Sequence, residues 1–169
     1  MREQIELRDI LFENVYNVLE LAPSQSQLQF INFESVAETI AIAYAGNNEG
    51  YPGFLQVVYY NGNPAGIILI GRSPVEENEP EILQKFEYVY RIWVFFIDEN
   101  YQQKGIGKTA LRLALEKLEK YPNAEQSPIY LQCHKENKIA LTLYELFGFQ
   151  PIHEVTIDDN FVLIRFPNR

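Results

Sequence analysis

A chain of 169 residues, 47% hydrophobic and 14% aromatic, is long enough for one domain with a sizeable core, and its single cysteine excludes a disulfide framework or a multi-cysteine metal site. Lys and Arg number 14 against 23 Asp and Glu, a formal charge of −9 that argues against nucleic acid or an anionic membrane as partner and suits a cationic small molecule. Two histidines, His134 and His153, leave no His-rich metal set, so no metal is expected.

No apolar run approaches the roughly 20 residues of a membrane span. The opening MREQIELRDI lacks the basic-then-apolar order of a signal peptide, so a cytoplasmic protein is expected, as a single domain over residues 1–169.

Ile5 and Leu7 alternate with charged neighbours as a short strand, and Asp9 is placed to cap a helix that turns Phe12, Val15, Tyr16 and Leu19 inward before Pro23. After a polar SQSQ stretch, Val36, Ala37, Ile40, Ala41 and Tyr44 recur at helical spacing up to Gly46. Phe54 to Tyr60 and Ala65 to Ile70, β-branched or aromatic and separated by Asn61-Gly62, predict an antiparallel hairpin. A connection from Arg72 to Gln84 carries Glu76, Glu77, Glu79 and Glu81, exposed carboxylates that would attract a polycation or merely solvate a loop. Phe86 to Ile97, apolar on both faces toward its end, predicts a central strand.

Leu111, Ala114, Leu115 and Leu118 then mark a helix that Pro122 stops. Ile129, Leu131 and Cys133 alternate as a strand, with Cys133 turned to the core. Asn137 to Phe147 is a helix packing through Ala140, Leu143, Tyr144 and Phe147, with Gly148 as its left-handed cap. Strands over Ile152 to Ile157 and Phe161 to Phe166 complete the chain.

The densest chemistry is Tyr101-Gln102-Gln103-Lys104-Gly105-Ile106-Gly107-Lys108-Thr109-Ala110, between the central strand and a helix. Glycines let a ligand approach the backbone, and the free N–H groups of a helix start favour an anion, most readily a phosphate. Gly107-Lys108-Thr109 does not make a P-loop, since Gln102 stands where that motif has its first glycine. Gly105, Gly107 and Ala110 satisfy a dinucleotide fingerprint, but that belongs in an early βαβ unit and here follows a hairpin.

With Gln102, Gly105 and Gly107, the segment IDENYQQKGIGKTAL resembles the pyrophosphate-binding motif of the GNAT superfamily of N-acetyltransferases, and ENKIALTLYELFGF, Glu136 to Phe149, is similar to its second signature. Within that superfamily QLQFINFESVAETIAIAYAG looks like the early helices of bacterial diamine and polyamine acetyltransferases. The resemblance implies an α/β (α+β) fold: a mixed, mostly antiparallel twisted sheet of six to seven strands, splayed at the central strand, with about four helices. It implies acetyl-CoA as co-substrate, its pantetheine arm paired to Phe95, Phe96 and Ile97. The pyrophosphate would lie on backbone N–H groups near Gln103, Lys104, Gly105, Ile106, Gly107 and Lys108, with charge from Lys104 or Lys108. Asn137 would touch the pantetheine or cap its helix, or both. Tyr144 would be the general acid that protonates the departing thiolate.

A primary amine with a pKa near 10.4 is neutral about once in 2,500 molecules at pH 7, so transfer also needs a proton acceptor. Some relatives carry a glutamate for this where Trp93 stands here. Glu87, Tyr90, His134 or a relayed water remain as candidates, and Tyr88, Tyr90 and Trp93 could line an amine site. The acceptor implied is a small polyamine or diamine, with a protein N-terminus, a lysine or another small amine as alternatives. A non-catalytic CoA-binding module is a further alternative, and a homodimer is left open as the assembly.

Overall fold

The computed structural model describes residues 4–167, except for the side chains of residues 153–156, among them His153. Seven strands form one sheet in the order β1-β2-β3-β4-β5-β7-β6: β1 (Ile5–Arg8), β2 (Gly53–Tyr60), β3 (Asn63–Pro74), β4 (Tyr88–Ile97), β5 (Ile129–His134), β6 (Gln150–Ile157) and β7 (Asn160–Arg165). Helices α1 (Val15–Leu19), α2 (Gln25–Leu28), α3 (Val36–Asn48), α4 (Ile106–Leu118) and α5 (Lys138–Leu146) lie between them. Every neighbouring pair is antiparallel except β4 and β5. This is the GNAT-like architecture expected from the sequence.

Alternation along β4 builds both faces. Tyr90, Ile92 and Phe95 join the core under α4 and α5 with Leu111, Leu115, Leu131 and Phe149, whereas Val94 and Phe96 join Val18, Val36 and Val57 under α1 and α3. The parity changes between Ile92 and Val94 because Ile70 faces Ile92 and Leu69 faces Val94, leaving Trp93 as an extra residue in a β-bulge.

Three features correct the sequence reading. In α1, Asn14 rather than Asp9 stands at the N-cap, and Val18 turns into the core, while Phe12 (98% exposed), Tyr16 (79%) and Leu19 face outward. In α3, Val36 and Thr39 are buried, but Ala37, Ala41 and Tyr44 are exposed. The SQSQ stretch forms α2, with Ser24 and Gln27 making a reciprocal capping box. The acidic connection is also partly structural. Glu79 pairs with Arg91 through both oxygens, at 2.5 and 2.7 Å, in a nearly buried bridge.

Candidate active site

β4 and β5 pair only at Tyr90 with Ile129 and Arg91 with Tyr130. Beyond Arg91 they part, and the bulge at Trp93 bends β4 where the gap begins. On its other edge β4 stays bonded to β3, and the Asp98 N–H donates to the Ala65 carbonyl at 2.9 Å. Antiparallel alternation from that bond assigns the main-chain groups of Val94 and Phe96 to β3 and aims those of Phe95 and Ile97 into the gap. Of the three expected pantetheine-pairing positions, two therefore face the gap. Phe96 faces the core, edge-on to Phe33 with ring centroids 4.9 Å apart.

The glycine turn stands above this gap. Gln103 and Gly105 take φ of +62° and +70°, and Gly105 caps α4 without any side-chain bond. The first intrahelical bond runs from Thr109 N–H to the Gly105 carbonyl, and the six consecutive N–H groups from Gln103 to Lys108 donate to no described residue. Six adjacent donors without a described partner, at the positive end of a thirteen-residue helix, are chemically suited to a phosphate-like anion. A Cβ placed on Gly107 would meet Ile97, Leu143 and Phe95 at 3.8–3.9 Å, ordinary contact distances. The fold itself could hold a larger residue there, so the bare surface is open to a ligand.

Gln102 secures the turn. Its side-chain amide donates to the Ile97 carbonyl at 3.0 Å and to Gln27 Oε1 at 2.6 Å, so the strand end, the turn and α2 are fastened together. Gln27 is a site-supporting residue that sequence reasoning missed, although its capping-box spacing from Ser24 was visible. Asp98, also missed, is buried and accepts from Ala22 N–H at 3.2 Å and Asn100 N–H at 3.0 Å, fixing the top of β4. Lys104 bends away from the turn toward the Asn100 carbonyl and lies near the Tyr60 and Tyr101 rings. Lys108 is exposed at the turn.

α5 closes the other side of the gap. Asn137 Oδ1 accepts from Ala140 N–H at 3.2 Å as the N-cap. Tyr144 is buried, edge-on to Phe149 at 5.5 Å, and its hydroxyl bonds to no described residue. Burial, reinforced by the neighbouring Cys133, pushes its phenol well above the ordinary value, while burial alone pushes the Cys133 thiol up to about 12. Both groups remain protonated at neutral pH.

The expected bases do not converge on the gap. The Tyr90 hydroxyl donates to the Pro122 carbonyl at 2.7 Å, Glu87 is exposed before β4 begins, and Trp93 is half exposed at the bulge. His134, against Phe30 at 5.1 Å, accepts from Glu136 N–H through Nδ1.

Comparisons with known proteins bear on the family and the fold. The profile of the acetyltransferase (GNAT) family matches residues 13–149. A spermine/spermidine N(1)-acetyltransferase of Bacillus subtilis (strain 168) is 28% identical over 165 residues, covering 95% of this chain and 97% of the relative. In fold, the chain is similar to the PaiA N-acetyltransferase of Thermoplasma acidophilum in complex with coenzyme A, with TM-score 0.67 and 16% identity over 96% of this chain and 99% of that one. It is also similar to Arabidopsis thaliana Naa50 in complex with a bisubstrate analogue, with TM-score 0.60 and 19% identity over 95% of each chain.

Proposed function

We propose that this chain, which belongs to the GNAT family of acetyltransferases, transfers the acetyl group of acetyl-CoA to a primary amine of a small polyamine or diamine of the spermidine or spermine type. The observation that carries the donor half is the run of six unpaired N–H groups from Gln103 to Lys108 beside the open edge of β4. These groups suit the pyrophosphate of CoA, and Lys108 adds charge at their edge. The open main-chain groups of Phe95 and Ile97 suit the amides of the pantetheine arm, and Asn137 has a side-chain NH₂ left over after capping α5.

Bound acetyl-CoA supplies an activated thioester, from which a neutral amine forms an amide as the carbon–sulfur bond breaks. The amine nitrogen gives up a proton and the departing sulfur gains one. Tyr144 provides the second proton: its burial keeps the hydroxyl protonated, with no described partner competing for it. The first leaves through water, because the candidate bases do not gather at the gap.

The acceptor half rests on the full-length similarity to the B. subtilis polyamine enzyme and on the net charge of −9. Glu76, Glu77 and Glu81 are exposed and free to attract a polycation, whereas Glu79 is committed to Arg91. The acceptor is tested by competition among spermidine, putrescine, an aminoglycoside and a peptide N-terminus at equal concentration. Preference for either of the last two would overturn the polyamine assignment and leave acetyl transfer standing.

A further inference from the structure

A slot of about 110 Å³ lies between the C-terminal half of α3 and the β3–β4 ladder. Ile42, Ala43 and Gly46 line it from the helix, Leu69 and Gly71 from β3, and Trp93 from the bulge where the gap begins. Gly46 is the informative member. It sits within α3, where glycine costs roughly 1 kcal/mol relative to alanine, yet its φ is not positive and nothing lies within 4 Å of where its Cβ would be. Neither backbone geometry nor packing calls for glycine there; what the missing side chain does is keep the slot open. Gly71 does the same beneath the indole, where a Cβ would come 3.3 Å from Trp93 Nε1.

We propose that this slot receives the acyl chain of the donor, so that the protein uses short unbranched acyl-CoAs beyond acetyl-CoA, up to about four carbons. The inference rests on the donor half of the function proposed above. From Ile97 down to Trp93 is about 13 Å of strand, so a pantetheine arm leaving the glycine turn along β4 brings its thioester toward the bulge. The slot meets that point at Trp93, which borders it, while Gly71 and Ser73, the ladder partners of Arg91 and Val89, line it on the β3 side of β4.

Its chemistry selects the donor chain over the acceptor. The walls are mostly apolar, no carboxylate borders them among the described residues, and Arg72 stands at the edge, stacked 4.1 Å over Tyr88. A second ammonium of a polyamine would meet a cation and no counter-charge, whereas an uncharged alkyl chain meets Ile42, Leu69 and the indole. The space exceeds what the methyl of an acetyl group fills and suits a short alkyl extension. The transfer is otherwise unchanged: the acyl carbon–sulfur bond breaks, the amide bond forms, and the sulfur takes its proton from Tyr144.

The test measures binding of acetyl-, propionyl- and butyryl-CoA by calorimetry to the wild-type chain, to Gly46→Leu and to Gly46→Ala. Trp93, the only tryptophan, gives a fluorescence signal from the slot itself. The wild type is expected to bind butyryl-CoA within tenfold of acetyl-CoA, with a larger change in Trp93 emission. Gly46→Leu, which fills the slot from an open helical position, should shift the butyryl-to-acetyl affinity ratio at least tenfold against butyryl-CoA, and Gly46→Ala should shift it far less. A wild type that rejects butyryl-CoA, or a folded Gly46→Leu with an unaltered ratio, would overturn the slot while leaving acetyl transfer intact. Failure of every acyl-CoA to bind would instead remove the donor half, and the slot assignment with it.

Discussion

Gln102 hands its side-chain amide to the main-chain carbonyl of Ile97 across 3.0 Å, joining the first residue of the glycine motif to the last residue of the central strand. That carbonyl faces the gap and has no strand partner there, so the glutamine satisfies it and sets the height of the turn above the strand. Gln102→Ala should cost about 1–3 kcal/mol, since a partly buried acceptor loses its donor, and should weaken acetyl-CoA binding about tenfold. Thermal unfolding and calorimetry on one sample separate the two effects. An unchanged affinity would mean that the turn holds its position without this bond.

Gly107 predicts the opposite division. Its Cβ position is unobstructed at ordinary contact distance, so Gly107→Ala should keep the melting temperature within a few degrees while lowering acetyl-CoA affinity, and Gly107→Val should lower it severely. Gly105 differs, because its φ of +70° makes any side chain strained, and Gly105→Val should lose stability together with affinity. Equal affinity in a folded Gly107→Val would remove the anion assignment of this turn.

Tyr144→Phe should lower kcat about 10²-fold at nearly unchanged acetyl-CoA affinity, the usual worth of general acid catalysis. The ring still packs on Phe149, so stability should hardly move. Because burial holds Tyr144 above its ordinary value, its own ionisation should not reduce activity between pH 7 and 9. Burial likewise raises Tyr90, Tyr121, Tyr130 and Cys133. The folded chain keeps these groups protonated to higher pH than the unfolded chain does. Their contribution to stability is therefore complete below the unfolded values and is lost as pH rises through them toward the folded ones. Urea midpoints should be flat near neutrality and fall above about pH 9.

Arg91 and Glu79 give a prediction of opposite sign in pH. Burial alone would raise the Glu79 carboxyl, but the Arg91 bridge and the Glu76 N–H outweigh it and hold the group below its ordinary value. The stabilisation it contributes is thus present above the unfolded carboxylate range and lost as pH falls through the folded value. Glu79→Gln leaves the Arg91 charge buried and should cost about 3 kcal/mol, removing that acid sensitivity. Neutralising Glu76, Glu77 and Glu81, all exposed, should leave stability within about 0.5 kcal/mol. A stable Glu79→Gln variant would show the bridge to be dispensable.

The sequence carried the strand pattern, the glycine turn and the α5 signature because each is local: alternation, a helix start and a cap depend on neighbours a few residues away. Asn61-Gly62 and Gly148 take the positive φ their positions predicted. What it concealed depends on partners distant in the chain. Phe12 and Tyr16 read as a core stripe, yet Val18 faces β2 and β3, because five residues of helix are too short for periodicity to fix a face. Glu79 read as one carboxylate among four until its partner twelve residues on, Arg91, was in place. Trp93 read as a departure from a catalytic pattern, and only the ladder register shows it to be the bulged residue at the opening of the gap.

Acetyl transfer from acetyl-CoA to a small polyamine is the reaction proposed for this chain. The most direct measurement is thiol release from acetyl-CoA by the purified chain with spermidine, putrescine, an aminoglycoside or a peptide N-terminus as acceptor, at low and high salt. The expected result is release with spermidine at the highest kcat/KM, falling as salt screens the exposed carboxylates to about 8 Å of reach, and the corresponding acetylamine by mass. Tight CoA binding without release from any amine would contradict it and leave a binding module in its place.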